Sequence, residues 1–312
     1  MRDYDVNSDL KILKPLRFKK YSNLRRNIAN AIITLTMIFA KTKRGIRKRK
    51  FVIRGYQHQK IKIYFLEKKN DVGKKPAMLF IHGGGFQMKG TPVHLKIVTD
   101  LMMGTDYKAV FVTYRLIPKH PFPTALFDAY HALQWMAEHA DYLNIDTKKI
   151  AIAGDSAGGN LATGVALYAR DHEGPHIHKV MLIYPVLDSK METKTMKEYY
   201  DTPMWNSNLN KDMWKIYLKN GDFGLLDYAS PLQANLENFP ETYIETAEFD
   251  CLRDEGVLFS EKLKKSGVSV VENHTKQTVH GYDALFFSKF VKDIKEQRIL
   301  FLKGELNDKN RS

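Results

Sequence analysis

Cysteine is almost absent: Cys251 is the sole one in 312 residues. That count excludes an internal disulfide and any metal site built from several thiolates, and it suits a reducing compartment. Residues 1–10 carry three aspartates and no apolar stretch of the secretory type, so the expectation is a cytoplasmic chain. No internal repeat is visible. Acidic residues are scarce at one end only. Residues 1–50 hold 15 Lys+Arg against three Asp, whereas the rest of the chain holds 34 against 32. The net charge of +14 therefore belongs to an N-terminal arm, and the nearly neutral body is not that of a nucleic-acid-binding protein.

Within the arm, Ile28, Ala31, Ile32, Leu35 and Phe39 recur at the spacing of one helix face. Asn30, Thr34 and Thr36 interrupt the run, which falls short of the ~20 apolar residues that span a bilayer. Two placements remain. Flanked by Arg25-Arg26 and by seven basic residues in positions 41–50, the helix could lie peripherally on an anionic membrane. The expected alternative is packing against the body as part of a lid, because an amphipathic helix generally buries its stripe in its own protein.

With 44% hydrophobic residues, the chain can bury one large core. Edge strands are expected at 51–54 and 61–66, and buried strands at 77–81, 109–114, 150–154, 180–184, 242–247 and 268–273. Helical patterns separate them at 93–103, 125–139, 157–170 and 284–302. This alternation specifies an α/β fold with a mainly parallel sheet, whose ligands bind at the carboxyl ends of the strands. Residues 189–223 break the pattern as a Met- and aromatic-rich two-helix excursion, suited either to a lid over an apolar substrate or to ordinary packing.

The chemistry concentrates at Gly154-Asp155-Ser156-Ala157-Gly158, a G-x-S-x-G turn between a strand and a helix. A serine on so tight a turn is lifted clear of the sheet, which makes Ser156 the candidate nucleophile. His82-Gly83-Gly84-Gly85-Phe86 ends an earlier strand. Its glycines leave N–H groups open to a developing oxyanion, with Gly83, Gly84 and Gly85 as candidates together with Ala157. A phosphate-binding loop is excluded by the missing Lys-Ser/Thr pair, and His82 is expected to brace the loop. A base and its orienting acid are supplied by His280 and Asp250, each just after a strand; His274 and Asp254 are their rivals. Asp155 is expected to hold the elbow by hydrogen bonds. Phe86, Asp155, Trp205 and Tyr282 are the candidate substrate contacts. No metal or organic cofactor is called for, and His176 with His178 reads as a solvent-exposed pair.

Taken together, these motifs, with Tyr114-Arg-Leu-Ile-Pro-Lys-His-Pro-Phe-Pro123 and Glu248-Phe-Asp-Cys-Leu-Arg-Asp-Glu255, resemble the hormone-sensitive-lipase-like branch of the α/β-hydrolases. The resemblance covers roughly residues 75–300. It implies a carboxylesterase or lipase with Ser156, Asp250 and His280 as triad. It also implies a helical cap made from residues 1–50 and the insertion 189–225, over a catalytic core of residues 51–188 and 226–312. Two positions depart from the pattern: Cys251 stands where proline is usual, and Tyr282 where phenylalanine is frequent. A thiol beside the acid leads us to expect sensitivity to iodoacetamide. The expected substrate is a small, uncharged ester of short to medium acyl chain, hydrolysed through an acyl-enzyme. A membrane-surface lipase, an amidase or deacetylase on the same triad, and a non-catalytic ligand-binding homologue are the alternatives, and a homodimer stays open.

Overall fold

A computed structural model, describing residues 2–20 and 22–306, turns the alternating apolar and amphipathic segments into one eight-stranded sheet. The strands are β1 (Ile46–Arg54), β2 (Lys60–Lys68), β3 (Lys75–Ile81), β4 (Lys108–Thr113), β5 (Ile145–Asp155), β6 (Lys179–Ile183), β7 (Glu241–Phe249) and β8 (Val270–Val279). Their spatial order is β1-β2-β4-β3-β5-β6-β7-β8. From β4 to β8 every neighbouring pair is parallel, while β2 pairs antiparallel with both β1 and β4. The central strands read as continuous apolar runs because helices cover both faces, and Ala77 to Ile81 are all fully buried.

The helices are α1 (Asn23–Phe39), α2 (Pro92–Gly104), α3 (Thr124–Glu138), α4 (Ala140–Leu143), α5 (Ala157–Asp171), α6 (Lys194–Glu198), α7 (Ser207–Tyr217), α8 (Leu226–Ala229), α9 (Arg253–Lys265) and α10 (Lys289–Lys303). Helix α5, which follows the serine turn, packs on β5 and against α3 and α8, and α2 meets α1 and α10. No described helix is long and apolar enough to cross a membrane.

Central β5 starts five residues early at Ile145, with Thr147, Lys148 and Lys149 exposed ahead of its apolar run, and two edge strands lengthen as well. β1 begins at Ile46, inside the basic stretch, and β8 continues through Glu272-Asn-His-Thr-Lys-Gln277 to Val279. An edge strand keeps one flank in water, so lysine, arginine and other polar residues persist where a central strand would reject them.

The arm folds onto the body. Tyr4, Val6, Leu10 and Leu13 are buried, and the chain is tied to the 189–223 insertion by Met204 N–H donating to Leu16 O (2.7 Å) and Asn206 Nδ2 donating to Phe18 O (3.0 Å). Helix α1 packs too, but on the opposite face from the expected one. Arg26 and Met37 are buried, with Asn30 and Ile33 half-buried, at spacings of four, three and four residues. The apolar stripe of Ile28, Ile32, Leu35 and Phe39 faces outward.

Behind the last strands, Arg298 lies fully buried. Its guanidinium donates to both carboxylate oxygens of Glu245 (3.0 and 2.6 Å) and to Asp283 (2.8 Å), and Tyr282 donates its hydroxyl to Glu245. Removing one member strands a desolvated charge, which costs on the order of 3–5 kcal/mol. Glu245→Ala is therefore expected to lower the unfolding free energy by about that much, read as a lower urea midpoint at unchanged slope; a variant as stable as the parent contradicts the network's role.

Candidate active site

β5 runs straight into α5 with a single residue between them. Ser156 occupies that position at φ +56° and ψ −121°, outside the regions an L-residue prefers. The turn closes because its neighbours are glycines: a Cβ on Gly154 would stand 2.2 Å from Gly158 O, and one on Gly158 would stand 2.0 Å from Ile81 O. Hydrogen bonds pin the strained residue in place, from Ser156 N–H to Ile183 O (2.9 Å) and from Val186 N–H to Ser156 O (3.1 Å).

The three residues expected to converge do so. His280 leaves β8 at a turn whose next residue, Gly281, is left-handed (φ +69°). Its Nε2 lies 2.9 Å from Ser156 Oγ and its Nδ1 lies 2.7 Å from Asp250 Oδ2. Asp250, fully buried at the end of β7, also accepts Leu252 N–H on Oδ1 (3.0 Å). With Nδ1–H donating to the carboxylate, Nε2 is left to accept the serine proton. The rivals go elsewhere. Asp254 accepts Thr195 N–H and pairs with Arg253, and the Nδ1 of His274 meets Thr246 Oγ1 at 2.8 Å across the β7–β8 pair.

The glycine loop is built around two histidines. His82 is buried, stacked on Tyr114 with ring centroids 4.3 Å apart, and its Nδ1 lies 2.8 Å from Gly83 O. Burial, reinforced by nearby His94, pushes its imidazole down to about 4, so it is neutral near pH 7. The N–H of Gly83 donates to Asp155 Oδ1 (3.0 Å), so this donor is engaged and unavailable to an oxyanion. Gly84 (φ +107°) and Gly85 (φ +59°) line the cavity instead. Ala157 opens α5, where N–H groups have no intrahelical partner. The other oxygen of Asp155 faces His94 Nε2 at 3.4 Å. Although burial opposes charge on both, their mutual attraction prevails: Asp155 is held below the usual carboxylate range and His94 is raised. Asp155 thus links the serine turn, the glycine loop and α2.

Beside Ser156 opens a cavity of about 340 Å³ walled by Met88, Val93, His94, Ile97, Tyr184, Met204 and Trp205. Trp205 comes from the insertion, with its ring 6.1 Å from the imidazole of His280 and close enough to Gly85 to exclude a side chain there. Two expected contacts are not on this wall. Phe86 is buried behind it, stacked on Tyr217 at 3.8 Å, and Tyr282 belongs to the Arg298 network. Of the residues missed in the sequence, His94 had a local signal in the cap Thr91-Pro-Val-His94, whose fourth residue closes back on the first. Tyr184 had its position at the carboxyl end of a buried strand. A larger cavity of about 520 Å³ lies at the opposite ends of the strands; Lys68, Lys179 and Lys303 in its lining are paired with carboxylates, and no serine or cysteine lines it.

Among the described residues, no group of three or more His, Cys, Asp or Glu could hold a metal, and His176 and His178 are exposed. Cys251 is buried, and burial together with the carboxylates of Asp250 and Glu255 pushes its thiol far above the usual range. This overturns the expected sensitivity to thiol reagents, because only an accessible thiolate reacts. Native protein treated with iodoacetamide near neutral pH should stay unmodified at Cys251 and keep its activity, while denatured protein is alkylated; rapid alkylation of the native chain contradicts this burial.

Residues 78–284 match a family model described as the alpha/beta hydrolase fold. Esterase LipI of Mycobacterium tuberculosis is 35% identical over 71% of this chain and 70% of its own length, and carboxylesterase NlhH of the same organism is 35% identical over 66% of each. Among solved structures, a bacterial heroin esterase superimposes with a TM-score of 0.88 at 30% identity, covering 97% of this chain and 99% of its own. A thermostable esterase from Pseudomonas putida follows with 0.86 at 32%, covering 98% and 99%. With this sheet, this serine turn and these relatives, the chain belongs to the alpha/beta hydrolase fold family, in its hormone-sensitive-lipase-like branch.

Proposed function

We propose that this hydrolase cleaves uncharged carboxylic esters of short to medium acyl chain through a covalent acyl-enzyme on Ser156. The observation that carries the reading is the unbroken line Asp250 Oδ2, His280 Nδ1, His280 Nε2, Ser156 Oγ, with spacings of 2.7 and 2.9 Å, opening into an apolar cavity. His280 takes the serine proton as Oγ attacks the ester carbonyl, and Asp250 keeps the ring oriented and stabilises the imidazolium. The N–H groups of Gly84, Gly85 and Ala157 receive the oxyanion. Protonated by His280, the alcohol departs. A water deprotonated by the same imidazole then attacks the acyl carbonyl, releasing the acid and restoring Ser156.

The preference for uncharged substrates rests on the wall. Met88, Val93, Ile97, Met204 and Trp205 supply apolar surface, and the carboxylates exposed to the cavity are held by partners: Asp155 by His94 and Gly83, Asp283 by Arg298 and Tyr184. In this reading, α6 and α7 with the arm act as a cap that closes the cavity.

Replacing Ser156 with Ala should reduce kcat for p-nitrophenyl esters by on the order of 10⁴-fold or more with the circular dichroism spectrum preserved. Across a series of acyl lengths, kcat/KM should peak at short to medium chains, and an ester bearing a free carboxylate should react far more slowly. Retained turnover in Ser156→Ala, or a preference for the charged ester, overturns the proposal.

A further inference from the structure

Helix α1 carries its hydrophobic residues on the face turned away from the protein. Leu24, Ile28, Ile32, Leu35, Ile38 and Phe39 are between 51% and 73% exposed. At about 100° per residue they fall within an arc of about 120°. Arg26, Ile33 and Met37, which do meet the body, occupy the opposite side. Soluble monomers rarely expose a contiguous apolar strip of this kind without a partner.

The surrounding charge selects the partner. No Asp or Glu occurs between Asp9 and Glu67, and exposed cations sit at both ends of the strip and along its flank: Lys19 and Lys20 before the helix, Arg25 within it, Lys41 and Arg44 after it. An apolar strip edged by cations alone is complementary to a surface that is apolar beneath and negative at its rim. Anionic phospholipid headgroups over acyl chains have that structure. A second copy of this chain would bring the same cations against each other.

We propose that the outward face of α1 docks on an anionic phospholipid bilayer and holds the enzyme there with its catalytic cavity beside the surface. The link to the cavity is direct. Asn30 on α1 donates from Nδ2 to Gln87 O (2.9 Å) and accepts Lys89 N–H on Oδ1 (2.8 Å), and Lys89 Nζ donates to Thr34 Oγ1 (2.6 Å). Between those two anchored residues lies Met88, part of the cavity wall. The helix is thus fastened to the segment that follows the oxyanion glycines, and docking its outer face sets the substrate entrance near the lipid.

The test is co-sedimentation of the full chain with vesicles of phosphatidylcholine containing phosphatidylserine and with phosphatidylcholine alone. The protein should pellet with the anionic vesicles, weakly with the neutral ones, and be released as salt rises. Ile32→Ser with Leu35→Ser, both on the exposed face, should abolish pelleting while leaving turnover of a soluble p-nitrophenyl ester unchanged. Lys19→Gln with Lys20→Gln should weaken binding to anionic vesicles on the order of tenfold. A full chain that stays in the supernatant at low salt overturns the proposal, as do apolar-face variants that pellet like the parent. A dimer that dissociates in the Ile32/Leu35 variant and ignores vesicles overturns it in favour of self-association.

Discussion

The backbone at Ser156 is the constraint on which the site depends. A non-glycine residue at φ +56° costs on the order of 1–3 kcal/mol, and it persists only because the surroundings over-determine it. Ile183 and Val186 bind both ends of its peptide units, and Gly154 and Gly158 remove the side chains that would collide. What the strain achieves is placement: the hydroxyl projects from the carboxyl edge of the sheet, toward the ring of His280 and away from the core.

The other loops are registered to that one turn. Asp155, next to the serine, accepts the N–H of Gly83 and faces His94, so the glycine loop after β3 and the start of α2 are positioned relative to Ser156 by a single carboxylate. The imidazole side is braced separately. Tyr184 lies 4.7 Å from the His280 ring and is bonded to Asp283, which Arg298 holds together with Glu245. Two buried polar clusters, one on each side of the cavity, therefore fix the two halves of a hydrogen-bonded contact between residues 124 apart in sequence.

Features set by local chemistry were legible in the sequence. The serine turn, the glycine run and the order of Ser156, Asp250 and His280 announce themselves because glycine and strand-end positions are local demands. The orientation of α1 was not legible. Its periodicity located the helix, but the rule that an apolar stripe faces inward assumes the protein itself is the nonpolar partner, and here Arg26 and Met37 face inward instead. Phe86 and Tyr282 were misplaced for a related reason: adjacency to a motif says nothing about which way a side chain points, and both turn into packing behind the cavity wall. Gly83 belongs to the same glycine run as Gly84 and Gly85, but its N–H is taken by Asp155, 72 residues away, a partner that no local pattern announces.

The most direct measurement of the central claim is peptide mapping by mass spectrometry after exposure to a reactive organophosphate ester, which phosphorylates a hydroxyl only where a base activates it. One adduct per chain, on Ser156, formed in step with loss of activity and absent when His280 is replaced by Ala, is the predicted result. Phosphorylation at another residue, or equal labelling of Ser156 without the imidazole, contradicts the account.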